Sequence, residues 1–564
     1  MNKASKTIKI AIFALFSLLG NIGTPMYAVS AKTVVATAAA GAVAVKQAYN
    51  YATFVSLSKW SWRKLIGTDD GRKADSNFFS SDAFKKEFPN GAFPADFLFG
   101  AGDSDLQSGG NNTNSTYNHP LFASKYPEMQ GVANNGWHPK TFEKVIELIK
   151  SLHQNAHRNN IEWSRIQPIA DTFDMDVLNE YARRYAELIK NGITPFIGFH
   201  HYSDPQWFMW PDGDTNNPIG FEIIENAQYY VDFCVQAFTV INQACQKALD
   251  ELNLTPQARA LLTPRWLTFN SPGSYAINGY LQGERPPAIE NQTDRALNVL
   301  ENMLKAHDKV YFAIKKIDPH ALVGITHNIY QADAYYPADA MLPKRLLLYA
   351  LNFLGTKFAN TLSNSAVCHY FTDKQLTAYV PTKGSKNASR YLTARWNRLF
   401  FDKKDKTLDF ICINYYSHGY MNGFKKPEPA TDELKTSNPR YTIYAEGLYR
   451  AIKEVYERVA QPLDIPIYIT ENGFSQNNIV DYAGNPVDGE EQRKIFLNRH
   501  FYAIARAIKD GYPVKGYMYW SLFDNCEWAD GYKKNYGLAT RNLTIKPSGH
   551  YYAWIISQLK SLTA

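Results

Sequence analysis

Two short apolar runs end in groups able to do nucleophilic or acid–base work. PIYIT, residues 466–470, leads into Glu471 and Asn472; VKGYMYW, residues 514–520, ends on Trp520, with Glu527 and Trp528 close behind. Six more runs behave alike. FLFGAG (97–102) is followed by Gln107, NAHRNN (155–160) contains Arg158, and TPFIGF (194–199) precedes His200, His201 and Tyr202. RWLTF (265–269) precedes Asn270 and Ser271, ALVGIT (321–326) precedes His327 and Asn328, and DFICIN (409–414) ends on Asn414 before Tyr415 and Tyr416. Each residue alone is ordinary: a strand-end Asn is a turn former, and a His or Trp among aromatics is most often structural. Gathered at one end of a sheet, they are the groups a sugar site needs. Amides and carboxylates bond vicinal hydroxyls, and an indole face covers the C–H face of the ring.

The elements that must position these groups alternate along the chain. Between the runs lie amphipathic segments. DVLNEYARRYAELIKNG places Leu178, Tyr181, Ala182, Tyr185, Leu188 and Ile189 on one face and stops at Gly192. EEQRKIFLNRHFYAIARAIKDG places Leu497, Phe501, Ile504, Ala505 and Ile508 on one face and stops at Gly511. Continuous apolar strands alternating with such helices indicate a parallel sheet covered by helices. Eight units in residues 93–564 point to a single (β/α)8 barrel with long loop insertions, whose active site forms where the strands end.

Composition narrows the function. Aromatics are 14% of the 564 residues, as suits a cleft for flat amphipathic rings or a large aromatic core. The formal charge of +7 includes Lys3, Lys6 and Lys9, and the rest is too dispersed to imply a nucleic-acid partner. Phosphate-loop and zinc-protease patterns are absent. The five cysteines, Cys234, Cys245, Cys368, Cys412 and Cys526, fit neither a disulfide framework nor a zinc site, and Cys412 and Cys526 read as buried thiols. Residues 1–31 read as an export signal: three lysines, the apolar core IAIFALFSLLG, then AVSA with cleavage after Ala31. The competing reading is an uncleaved membrane anchor. The second apolar run, 33–45, is too short to span a bilayer and sits in a lead-in over 32–92. The expected location is therefore periplasmic or secreted, with any membrane association confined to the N-terminal segment.

From about Phe93 to Tyr551 the chain resembles the family 1 glycoside hydrolases, the β-glucosidases, β-galactosidases and relatives. FPADFLFGAGDSDLQ resembles the family's first strand, HRNNIEWSRIQP its second, FHHYSDPQW its third and DFICINYYS its sixth; IYITENGF is its nucleophile motif, and GYMYWSLFDNCEWADGYKKNYGL its last strand and loop. The resemblance implies Glu471 as nucleophile, contacted by Arg158 and Tyr416. It implies sugar binding by Gln107, His201, Asn270, Asn414, Trp520, Glu527 and Trp528, with a small-molecule β-glycoside or oligosaccharide as partner. No metal or organic cofactor is implied. Tyr202 stands where the family usually has Trp, and Gln107-Ser108-Gly109-Gly110 departs from Gln-x-Glu-Gly.

The sharpest departure is Thr268-Phe269-Asn270-Ser271-Pro272, where the family has Thr-Phe-Asn-Glu-Pro. Retaining glycosidases use two carboxyl groups about 5–5.5 Å apart, one attacking and one moving the proton. A serine cannot take the second part near neutral pH, and a lost acid/base costs about 10²–10⁴-fold. Ser before Pro also reads as an N-cap in extended conformation with Pro at the first helical position. The expectation is a retaining β-glycosidase or transglycosidase with an altered acid/base step. Myrosinases also lack the carboxylate and act on good leaving groups, and Glu284 or Asp204 could substitute. The alternative is a carbohydrate-binding pseudoenzyme, as in the family's Klotho-type domains. A structural or membrane scaffold, drawn only from 33–45, predicts no sugar binding.

Overall fold

In the computed structural model eight parallel strands close into a barrel. They are β1 (Leu98–Gly102), β2 (Ala156–Asn160), β3 (Thr194–Gly198), β4 (Arg265–Asn270), β5 (Leu322–Asn328), β6 (Phe410–Asn414), β7 (Ile467–Asn472) and β8 (Val514–Trp520). Each lies beside its predecessor, and β8 closes on β1 with Gly102 opposite Trp520. The structure describes residues 78–561 except 90, 111, 130–138, 215–216, 335–351, 353–355, 357–359, 361–363, 365, 373–374, 382–392, 400–405, 422–441 and 478–485. The expected export signal and the 33–45 run lie outside the described residues.

Apart from β2, which carries His157, Arg158, Asn159 and Asn160, the strands read as largely apolar runs because both faces are covered. Every residue of β1, β3, β4, β6 and β7 is buried. Leu98, Phe196, Leu267, Phe410, Tyr468 and Met518 belong to a separate cluster filling the barrel, while the opposite faces join the larger core under the helices. Side chains alternate along a strand, so the inward phase can be followed upward. Ala156 lies inside, hence Arg158; Cys412 lies inside, hence Asn414; Met518 lies inside, hence Trp520. In β4 simple alternation from Leu267 would point Phe269 inward and Asn270 outward. A register shift between Leu267 and Asn270 reverses this, and Phe269 packs in the outer core. A shift between Ile469 and Glu471 also interrupts the alternation in β7, so that Thr470 meets the inward Asn414 and Glu471 meets the inward Arg158. Such bulges re-aim a side chain at the rim of a barrel.

The helices over these strands include α1 (Pro139–Ser151), α2 (Met175–Lys190), α3 (Ala227–Glu251), α4 (Pro272–Tyr280), α5 (Thr293–Ile317), α6 (Ala445–Val455), α7 (Gly489–Lys509) and α8 (Pro547–Ser561). The expected face of α2 is buried, and Gly192 takes φ +72° just past its end, as a helix-terminating glycine does. Helix α7 is buried well beyond the expected stripe, whereas Ile508 is only partly covered. The reason is polar. Arg493 donates to Gly537 O (2.8 Å), Asn535 O (2.6 Å) and Phe474 O (3.2 Å), clamping the loops that leave β7 and β8. Arg499 pairs with Glu446 of α6 at 3.4 Å, both fully buried. Residues 78–92, in the lead-in by sequence, supply Phe79, Phe84 and Phe88, which pack edge-on or tilted against one another and on Phe501 and Tyr502 of α7. The β5–β6 connection adds a hairpin, Gln375–Pro381 with Thr393–Leu399, and Gln331–Ala334 pairs with His418–Met421. All five cysteines are buried and free.

Beyond β7 the chain passes very close to β8: a Cβ on Gly473 would lie 2.0 Å from Trp520 O. Gly473→Ala should therefore destabilise the fold by about 1–3 kcal/mol in urea unfolding. An unchanged midpoint and slope would show that the two strand ends can separate freely.

Buried titratable groups set a pH profile. Burial, reinforced by Asp105, lifts the Asp103 carboxyl to about 8, and burial lifts Glu162 to about 7. Burial holds His157 and His327 at about 4 and His500 at about 3. The signs oppose. Each of these carboxyls holds its proton longer when folded, so stability falls as pH rises from the ordinary carboxylate range through 7 and 8. Each histidine resists protonation when folded, so stability falls as pH drops from about 6.5 to 4. Between about pH 6.5 and 8.5 only the carboxyls act, and Tm should decline there. Asp103→Asn, which mimics the protonated form, should flatten the decline. A wild-type Tm that climbs over this interval contradicts the assignment.

Candidate active site

The mouth of the barrel collects the groups released by the strand ends. Glu471, at the end of β7, is 6% exposed. Its Oε1 accepts from Arg158 Nη1 of β2 at 2.6 Å, and its Oε2 accepts from the Tyr416 hydroxyl, just past β6, at 2.7 Å. Burial and the adjacent Glu471 charge push the Tyr416 phenol well above its ordinary value, so it remains a donor. Glu471 is thus a carboxylate with each oxygen fixed by one partner, leaving lone pairs to face a ligand.

His201 continues the network. Its Nδ1 lies 3.3 Å from Arg158 Nη2 and its Nε2 lies 3.4 Å from Asn270 Nδ2. Burial, helped by the charges of Arg158 and Arg285, holds His201 well below its ordinary value, so the ring is neutral. A guanidinium can only donate, so Nδ1 accepts and the proton is assigned to Nε2. Two N–H groups, from His201 and Asn270, then converge, and an oxygen placed between them would accept from both. Asn270 is oriented by a relay: Thr470 Oγ1 donates to Asn414 Oδ1 (2.9 Å) and Asn414 Nδ2 donates to Asn270 Oδ1 (2.8 Å). The imidazole stacks on Trp520 (centroids 5.7 Å apart, planes 12°) and on Trp528 (6.0 Å, 10°). At the far side Gln107 Nε2 donates to Cys526 O (3.0 Å) and Glu527 Oε2 (3.3 Å), while Ser104 holds Gln107 Oε1 (2.7 Å). Burial, reinforced by Glu471 and opposed by Arg285, lifts the Glu527 carboxyl to about 7.

The residues expected at the site are therefore placed together, through direct contacts or shared partners. Others go elsewhere. His200 bonds Asp204 (3.1 Å), which also accepts from Tyr275 (2.8 Å), so each Asp204 oxygen is taken up within a buried structural triad. His327 bonds Asn364 O at 2.9 Å, and Asn328 bonds Ser274 at 3.3 Å. Glu284 lies beside Lys125. Among the described residues, no three His, Cys, Asp or Glu side chains gather to hold a metal ion.

Ser271 corrects the expected N-cap. It precedes α4, with Pro272 at the first helical position, but its φ of 55° and ψ of 65° are left-handed and its side chain caps nothing. The register shift in β4 turns the backbone, and the Ser271 N–H is taken by Thr326 O at 2.9 Å. Its hydroxyl is fully buried, 3.5 Å from Asn414 Nδ2 and beside the Tyr202 phenol.

Sequence reasoning missed Arg285. Its guanidinium lies 4.0 Å from the Tyr202 ring centroid and 4.3 Å from that of Trp528, within the aromatic wall of the site. The available signal was a basic residue amid LQGERPP, straight after the α4 segment, but nothing local in the sequence shows the distant rings that support it.

Comparison with known proteins agrees with this geometry. The Glycosyl hydrolase family 1 model matches residues 89–246 and 262–560. A 6-phospho-beta-galactosidase of Clostridium acetobutylicum is 25% identical over 502 residues, 83% of this chain and 98% of that protein. Beta-glucosidase A of Thermotoga maritima is 25% identical over 483 residues, 82% of this chain and 97% of the relative. The solved beta-glycosidase from Pyrococcus horikoshii matches with a TM-score of 0.63 at 25% identity, covering 84% of this chain and 98% of that one. A closed parallel barrel, a carboxylate fixed at the end of its seventh strand and a family match over most of the chain make this protein a member of glycosyl hydrolase family 1, within the O-glycosyl hydrolases.

Proposed function

We propose that this protein is a retaining β-glycosidase in which Glu471 forms a covalent glycosyl intermediate and the acid/base step is weakened. The observation that carries the reading is the double anchoring of Glu471 by Arg158 and Tyr416. One Glu471 oxygen attacks the anomeric carbon while the bond to the leaving oxygen breaks with its electron pair. Water then attacks the same carbon, releases Glu471 and gives up a proton. Asn270 and His201 would hold one sugar hydroxyl, Gln107 and Glu527 others, with Trp520 and Trp528 against the ring. The relatives' names support a small β-glycoside as substrate, gluco or galacto in type.

The proton is the weak point. At Ser271 no carboxyl is present, and Asp204 is committed to His200 and Tyr275. The Tyr202 phenol beside Ser271 is pushed above its ordinary value, chiefly by burial, which makes it a poor acid. Substrates whose leaving group departs without a proton should therefore be favoured. The buried serine also supports a second reading, a carbohydrate-binding pseudoenzyme that does not turn over. Export through residues 1–31 belongs to the proposal and rests on Lys3, Lys6, Lys9 and the apolar core that follows.

An activated 2-deoxy-2-fluoro glycoside should label Glu471, read by peptide mass spectrometry. If several such reagents leave Glu471 unmodified while sugars still bind in calorimetry, the pseudoenzyme reading stands and the enzyme reading fails. Ser271→Glu should raise hydrolysis of unactivated β-glycosides by about 10²–10⁴-fold. No gain in a folded variant would mean that the missing carboxyl is not what limits turnover.

A further inference from the structure

Arg285 is held in a way the reaction just described does not use. Its loop is pinned from several sides: Glu284 N–H and Arg285 N–H both donate to Asn278 O (2.9 and 3.3 Å), Lys125 Nζ donates to Gly283 O (2.9 Å), and the Tyr126 hydroxyl donates to Glu284 O. The guanidinium rests on two ring faces, Tyr202 and Trp528, whose planes cross at 87°. Aromatic faces satisfy the flat side of a guanidinium but not its N–H groups, which point outward in its plane. Arg285 Nη1 is buried and has no hydrogen-bond partner among the described residues. A buried, charged donor left unpaired is costly, so its persistence points to an acceptor that arrives with the ligand.

The acceptor can be placed along the sugar. Glu471 marks the anomeric carbon. The carbons beyond it would face Gln107, Glu527 and Trp528, none of which bonds Glu471, and Arg285 lies on Trp528, with Tyr117, Tyr202, Tyr126 and Glu527 as its electrostatic neighbours. We propose that the pocket takes a β-glycoside whose sugar bears a carboxylate at the end remote from the anomeric carbon, a hexuronic acid, and that Arg285 selects it. This rests on reading the site as a glycoside pocket.

Charge favours a carboxylate over a phosphate. Arg158 is already paired with Glu471. Burial lifts Glu527 to about 7, so near neutrality it is partly protonated and leaves Arg285 largely unopposed. One cation balances one carboxylate. A phosphate monoester, with a charge of about −1.5 to −2 near pH 7, would leave excess negative charge beside two glutamates. Planar carboxylates also match the guanidinium fork edge to edge.

The test is calorimetric binding of the non-cleavable 4-nitrophenyl C-glycosides of β-D-glucuronic acid, β-D-glucose and β-D-glucose 6-phosphate to the full chain. The wild type should bind the glucuronide at least about tenfold tighter than the glucoside, and Arg285→Met should lower that ratio at least about tenfold. A preference for the neutral glucoside, or an equal loss of both ligands in Arg285→Met, overturns the proposal and makes Arg285 a structural prop for Trp528. A preference for the 6-phosphate overturns the choice of carboxylate. If the fluoro reagent labels Glu471 yet the glucuronide does not bind, the Arg285 proposal alone fails. If none of the three ligands binds, the pocket reading fails with it.

Discussion

The pairing of Arg158 with Glu471 is the interaction to which the rest of the site is tied. The two side chains are 2% and 7% exposed, and removing both charges from water costs several kcal/mol each. Their attraction offsets this only with good geometry and further bonds. The second Glu471 oxygen is held by Tyr416, and the second Arg158 nitrogen meets His201. Arg158 Nε has no partner among the described residues, so the arrangement is not fully satisfied even so. A site of this kind persists because the barrel beneath it supplies the missing stability. Closure brings β2 across from β7, and the packed interior of Leu98, Phe196, Leu267 and Phe410 leaves the two strands little freedom to part.

That dependence explains why the bulges sit where they do. A strictly alternating β4 and β7 would present Phe269 and Thr470 inward and turn Asn270 and Glu471 toward the helices. One shift in each strand turns Asn270 and Glu471 into the mouth instead; in β4 Phe269 moves to the outer core, while in β7 Thr470 keeps its inward side. Thr470 donates to Asn414 on the adjacent strand, and Asn414 in turn fixes Asn270 two strands further on. The same local geometry puts Ser271 in a left-handed conformation, which a β-carbon-bearing residue adopts at a cost of about 1–2 kcal/mol. Backbone strain at this position is the consequence of turning the chain from an inward-facing Asn270 into a helix that begins with Pro272.

Much of this was legible in the sequence, and what was not has a common cause. The eight runs mark the strands to within a residue or two; in most of them burial on both faces leaves no polar interruption, β2 with its His157, Arg158, Asn159 and Asn160 being the exception. The strand-end residues could be read as a set, since a barrel brings all its strand ends to one face. Local chemistry misled at Ser271: Ser-Pro is a good N-cap signal, but the register of β4 overrides it. Buried charges were invisible. Arg493, Arg499 and Asp103 look like surface residues in the sequence, and only partners distant in the chain, such as Asn535 and Glu446, make their burial possible. Arg285 escaped for the same reason, because its aromatic supports come from Tyr202 and Trp528, some 80 residues before it and more than 240 after it.

Ser271 and Arg285 bear on one quantity, the charge at the mouth of the barrel. A glutamate at 271 would place a second carboxylate near Glu471, and repulsion between neighbouring carboxylates raises the affinity of one for a proton, which is what an acid catalyst requires. Serine removes that charge, and with it the means to protonate a leaving group. Arg285 adds the opposite charge, against an aromatic wall that excludes water and so strengthens its field. Both features make the site less hospitable to cations and more so to an anion. An acidic glycone would meet no general-base carboxylate at 271 to repel it, and its own charge would tend to keep Glu527 protonated, turning that residue into a hydrogen-bond donor. On the proposed reading, Ser271 and Arg285 act together: a pocket without a carboxyl at 271 to activate a poor leaving group carries a cation able to hold a charged sugar.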